Sequence, residues 1–162
     1  MAKNDFLSKT DIVMYLEMIN EELAKIGQRG EIDICGGAAM VLAYNSRDAT
    51  QDIDAVYKPK DEITKIIANI STEHGLNSHW LNDDVSMFTS ELNDITSTAY
   101  ITFSNLVVNL VDEIYLLTMK IMAAREDSND LQDAVVLIKQ LGVNYPPPIE
   151  AGACSQNSKL ID

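Results

Sequence analysis

The sequence is short of several things, and each shortage closes off a class of function. Cysteine occurs twice, at Cys35 and Cys154, far apart and without partner spacing. That excludes a disulfide framework and a cysteine-based zinc site. Histidine also occurs only twice. No Ser-His-Asp order, zinc spacing or Walker-type phosphate loop is present. His74 ends a helical stretch and His79 precedes Trp80 in a loop, so exposed-loop roles are the simpler reading for both. No apolar run approaches the roughly 20 residues of a membrane span. The start, Met1-Ala2-Lys3-Asn4-Asp5, lacks the basic, apolar and small-residue parts of a signal peptide. The expectation is a soluble, cytoplasmic protein with no membrane role. Basic residues are scarce, with 12 Lys and Arg against 25 Asp and Glu, for a net charge of −13. A broad nucleic-acid surface needs many Lys and Arg to neutralise phosphates, so the balance argues against one while leaving room for a local basic groove. It suits a basic protein partner, and it serves solubility equally well.

What is present is an ordinary globular composition: 162 residues, 46% hydrophobic and 23% charged. That is enough chain for one domain with a core of its own. The expected division is a domain over residues 1–145, then a Pro146-Pro147-Pro148 break and a flexible tail over 146–162. Ile12, Leu16, Ile19, Leu23 and Ile26 recur at helical steps, predicting a helix from Ser8 to Gly27. Ile32–Cys35 reads as a strand, Ala38–Tyr44 as a helix, and Gln51–Tyr57 as a strand closed by Pro59. Lys60–His74 reads as a second amphipathic helix ended by Gly75, with a short helix around Asp83–Phe88. Thr98–Phe103 and Leu106–Val111 read as a hairpin turned at Ser104-Asn105. Asp112 can cap a helix through Ala124, and Ser128 another through Leu141, closed by Gly142. The fold class is α/β: a small mixed sheet flanked by helices.

Two features carry chemistry. Gly36-Gly37 stands where a strand ends and a helix starts. Free N–H groups and the helix dipole favour an anion there, and glycine lets a phosphate approach the backbone. Taken alone, it is more simply a tight turn between strand and helix. Asp52 and Asp54 are two apart in a strand, so both carboxylates point to one face and can grip a hard cation such as Mg²⁺. Ile53 and Ala55 then face the core. Spacing alone decides nothing, because Glu31-x-Asp33 repeats it at the entry of the other strand.

The combination is more specific. It runs Ile34-Cys35-Gly36-Gly37-Ala38-Ala39-Met40-Val41-Leu42, then Arg47, then Thr50-Gln51-Asp52-Ile53-Asp54. This resembles the nucleotidyltransferase superfamily of DNA polymerase β-like fold. In closer detail it resembles small bacterial nucleotidyltransferase-like proteins related to AbiE-type toxins of toxin–antitoxin systems. Trp80-Leu81-Asn82-Asp83-Asp84-Val85 and the late helix Leu116–Arg125, with Asp127, Asp130 and Asp133 after it, carry the closer match. The resemblance implies metal binding and catalysis by Asp52 and Asp54, and phosphate contact by Gly36 and Gly37. Arg47 and Lys120 become further candidates for the nucleotide's phosphates. It implies Mg²⁺ (or Mn²⁺), a nucleoside triphosphate substrate, an acceptor hydroxyl on an RNA end or a protein, and an antitoxin as possible partner. A non-catalytic binding module of the same fold is the alternative. Other readings stand beside these: Lys120 as a snorkelling helix residue, Arg125 with Asp130 or Asp133 as an interhelical ion pair, Asp83 as a helix cap, and Trp80 as a core or pocket wall. The chain departs from the superfamily pattern in two places. Ala38 and Ala39 follow the turn where a small hydroxyl residue is common. The later strands offer Asn109 rather than a third carboxylate, leaving Asp84 or Asp112 to supply one.

Overall fold

The computed structural model describes residues 6–89, 96–123 and 129–144. Cys154, Arg125, Asp127, Ser128 and the expected tail lie outside the described residues. Ser8 caps the first helix, α1 (Lys9–Lys25), through a reciprocal capping box with Asp11. It also ends a two-residue strand, β1 (Leu7–Ser8), that pairs with β3 (Ala49–Thr50). Ile12, Leu16, Ile19 and Leu23 are fully buried. Ile26 is not part of that stripe. It lies past the last helical turn and is 53% exposed, since Gly27 at φ +66° turns the chain away.

A five-stranded sheet follows in the order β5-β4-β2-β7-β6. Its strands are β2 (Gly30–Ile34), β4 (Ile53–Lys58), β5 (Leu81–Asn82), β6 (Ser97–Thr102) and β7 (Leu106–Val111). β2 runs antiparallel to β4 and parallel to β7, β4 runs parallel to β5, and β6 and β7 form the expected hairpin. Ile53, Ala55 and Tyr57 are buried while Asp54 and Val56 alternate with them, half-exposed on the other face. The fold is therefore the mixed α/β arrangement expected, with nucleotidyltransferase-like architecture.

Between β2 and β3 comes a short helix, α2 (Gly36–Ala39), running on as a π-helical turn over Met40–Tyr44. Asn45 closes it in the left-handed conformation at φ 49°. The Tyr100 hydroxyl, at a register shift in β6, donates to the Leu42 carbonyl at 3.0 Å and ties this turn to the sheet. α3 (Lys60–His74) buries Ile63, Ile66, Ile67 and Ile70 and packs against α1. Trp80 is 1% exposed, and its indole N–H donates to the Ile67 carbonyl at 3.2 Å, so it is a core residue. A single turn, α4 (Ser86–Thr89), follows β5. The last two helices, α5 (Glu113–Ala123) and α6 (Asp130–Asn144), pack on each other, with α2 against α5. Asp112 caps α5 as expected, accepting from the Ile114 and Tyr115 N–H groups. Gly142 does not close α6, which continues to Asn144. One glycine costs only about 1 kcal/mol in a helix, less than Ala134 and Leu137 gain by burial. No helix among the described residues is long and apolar enough to cross a membrane.

Candidate active site

The end of β2 and the start of β4 meet at one point. The Cys35 N–H donates to the Asp54 carbonyl at 2.8 Å, carrying the antiparallel ladder to the edge of the glycine turn. Gly36 then adopts φ +61°. A Cβ added there would lie 2.8 Å from Asp54 Oδ2, so the turn backs directly onto the carboxylate. A Cβ at Gly37 would lie 2.8 Å from Arg47 Nη1 and 3.0 Å from Thr50 Oγ1. Each glycine is thus fixed by a different neighbour, one by the acidic pair and one by the arginine. A plain turn would require neither contact. The Gly36→Ala variant is expected to lose about 1–2 kcal/mol from the left-handed backbone, and more from pushing Asp54 aside. Gly27→Ala is the control in a thermal melt: φ is +66° there, but nothing lies within 4 Å of the added Cβ. A larger loss at Gly36 than at Gly27 measures the contact with Asp54.

The two carboxylates stand in an environment that resists their charge. Burial raises the pKa of Asp54, the Asp52 charge raises it further, and an Asn82 hydrogen bond and Lys120 pull the other way. Burial and then Asp84 raise that of Asp52, against Lys120. Among the described residues no Lys or Arg lies within salt-bridge distance of either aspartate. Asn82, opposite Asp54 in the β4–β5 ladder, is a site residue that pattern reading passed over, although it lies in the Trp-Leu-Asn-Asp stretch. Of the two candidate third carboxylates, Asp84 is the one whose charge both aspartates feel, whereas Asp112 caps α5. Asp83 pairs with Lys60 at 2.6 Å. The control pair, Glu31 and Asp33, is held elsewhere on the sheet by the Asn109 amide, at 2.8 and 2.7 Å.

Arg47 and Lys120 are both brought to the site, and both are held there by one buried acid. Asp133 accepts hydrogen bonds from Arg47 Nε (3.3 Å), Arg47 Nη2 and Ser46 Oγ (3.3 Å). Lys120 Nζ lies 2.9 Å from both Asp133 and Asp130. The Lys120 side chain is 8% exposed and that of Asp133 3%. Lys120 therefore does not snorkel to solvent. Asp130 and Asp133 do form ion pairs, but with Lys120 and Arg47.

Cys35 lies under the turn, and burial with the charges of Asp54 and Asp33 pushes its thiol up to about 12. It is an inert core group rather than a nucleophile.

Among the described residues, no three His, Cys, Asp or Glu side chains converge to hold a metal unaided. The donor set still fits Mg²⁺. That ion is usually held by one or two carboxylates together with substrate phosphates and water, and here Asp52 and Asp54 interact with each other, no described Lys or Arg pairs directly with either, and Asp54 lies against the glycine turn.

No curated protein and no solved structure matches the chain. A family model does, over residues 13–145, described as a nucleotidyltransferase of unknown function (DUF6036). That span takes in the glycine turn, both aspartates, Asn82, Lys120 and Asp133, and the chain belongs to this nucleotidyltransferase family.

Proposed function

We propose that the protein transfers a nucleotidyl group from a Mg²⁺-bound nucleoside triphosphate to an acceptor hydroxyl. The observation that carries this reading is the close approach of Gly36 to Asp54, which brings the glycine turn against one of two neighbouring carboxylates that no described Lys or Arg pairs directly. Asp52 and Asp54 hold the cation. The Gly36-Gly37 turn and Arg47 receive the triphosphate, with Lys120 adding positive charge behind them. When bound by Asp52 and Asp54, a divalent cation would supply positive charge to the triphosphate and to the acceptor oxygen, as phosphoryl-type transfers require. The acceptor oxygen bonds the α-phosphorus, the bond to the bridging oxygen breaks, pyrophosphate leaves, and the hydroxyl proton passes to solvent. A relation to AbiE-type toxins, an antitoxin partner, and an RNA end or protein as acceptor rest on sequence resemblance alone. A second reading, nucleotide binding without turnover, draws on Ala38 after the turn and on Asn109 in place of a strand carboxylate.

The test is a thermal melt with each of the four nucleoside triphosphates, with Mg²⁺ and with chelator. A ligand at a hundredfold excess over its Kd stabilises by about 2.7 kcal/mol, or about 5–10 °C for a chain of this size. The expected result is a rise that needs both nucleotide and metal and disappears in Asp52→Ala/Asp54→Ala. No rise with any triphosphate overturns the reading.

A further inference from the structure

A cleft of about 460 Å³ opens beside Asp52 and includes none of Gly36, Gly37, Arg47 or Lys120. Its walls are Tyr15 from α1, Gln51, His74 at the end of α3, and Asn77 and His79 from the loop that follows, with Asp52 at its edge. Both histidines of the chain face it. The Tyr15 ring stands edge-on to His74 at 5.7 Å and tilted against buried Trp80 at 5.3 Å, so one wall is fixed by the core. The volume is that of a small-molecule site.

Leu7, Leu76 and Trp80 supply the apolar part of the lining. Its polar part has amide, imidazole and phenol groups that can donate and accept hydrogen bonds. Among the described residues its one carboxylate is Asp52, and it has no lysine or arginine. A phosphate placed there would find no described lysine or arginine to contact, and only the cation proposed at Asp52 to offset its charge. A hydroxyl would find partners on several sides and the proposed reacting centre at Asp52. We infer that this cleft is the acceptor subsite, and that it takes a small hydroxyl-bearing molecule without phosphate groups. The inference rests on the nucleotidyl-transfer reading above, and it accounts for two histidines, a glutamine and an asparagine that the nucleotide site does not use.

The test fills the cleft from either wall, with Asn77→Trp and Gln51→Trp as separate variants in case one fails to fold. Each is compared with the wild type for two quantities. One is the Mg²⁺–triphosphate rise in melting temperature. The other is transfer of α-phosphate label into the dialysable, RNA and protein fractions of a cell extract. The expected result is an unchanged rise in both variants, wild-type label in the dialysable fraction, and loss of that label by about a hundredfold, the scale of a misplaced reactant. Undiminished transfer in a filled cleft overturns the inference. So does loss of the nucleotide-dependent rise in a folded variant, because the cleft would then hold the nucleotide. Label in RNA or protein, or label in no fraction while the wild type keeps its rise, also overturns it. A wild type with neither rise nor label is a different result: it removes the nucleotidyl-transfer reading itself.

Discussion

Replacing Asp54 by asparagine is expected to make the free protein more stable while costing it two to three orders of magnitude in nucleotidyl transfer. The first half follows from the sign of the pKa shifts. Burial and the neighbouring carboxylates raise the pKa values of Asp54 and Asp52 in the fold. A carboxyl whose folded pKa lies above its unfolded value binds a proton more tightly in the native state. Its stabilising contribution is full below the unfolded value near 3.8 and is lost as pH rises through the raised one. At neutral pH the ionised pair therefore weighs against folding. Asparagine keeps the shape and can still accept from Asn82. Relief of such charges commonly gives about 0.5–2 kcal/mol, or about 1–8 °C here. The second half follows from what the charge is for. A bound divalent ion contributes several kcal/mol of charge stabilisation, and each 1.36 kcal/mol is about tenfold in rate. Melting curves without ligand and transfer rates with Mg²⁺ check both halves together. A variant that is destabilised and fully active contradicts the assignment.

Removing Asp133 is expected to have the largest effect on stability. Its carboxylate is 3% exposed and stands between Arg47 and Lys120, whose side chains are 21% and 8% exposed. Truncation leaves buried Lys120 and half-buried Arg47 with Asp130 as their remaining described acid partner, at Lys120. Breaking a buried ion pair from one side costs about 3–5 kcal/mol, which for a chain of this length lowers the melting temperature by roughly 6–20 °C. The Arg47→Met/Asp133→Leu pair should recover part of that loss, since the penalty comes from uncompensated charge rather than from missing attraction. Melts of the wild type, Arg47→Met, Asp133→Leu and the double variant form a double-mutant cycle, and additive losses would show that the two residues do not act as a unit. The same network explains how α6, far along the chain, governs the glycine turn. Asp133 holds Arg47, and Arg47 lies against Gly37.

Much of this was legible in the sequence, and what was not has a physical reason. α1 and α3 announced themselves by apolar residues at helical steps, and β7 by its apolar run after a turn. β1, β3 and β5 hold two residues each, and two residues carry no period. Ile26 matched the helical stripe by number, yet the chain had already turned. The glycine pair and Asp52-x-Asp54 could be paired in advance because their order along the chain resembles that of nucleotidyltransferases. Asn82 and Asp133 could not be ranked that way. Their roles arise where β5 lies beside β4 and where α6 folds back over the turn, contacts that no local spacing encodes. Lys120 shows the same limit, since a lysine on an apolar helix reads alike whether its amine reaches solvent or a buried aspartate.

Under the proposed function, the nucleotidyl group with its α-phosphorus, and not the γ-phosphate, leaves this site on an acceptor. The decisive measurement runs α-labelled and γ-labelled triphosphate in parallel, with Mg²⁺ and a cell extract as the source of acceptors. The expected result, above a blank of extract alone, is acceptor-bound label from the α-labelled nucleotide, γ-label recovered as pyrophosphate, and neither with Asp52→Ala/Asp54→Ala. Acceptor-bound γ-label, or α-label that survives loss of both aspartates, would contradict it.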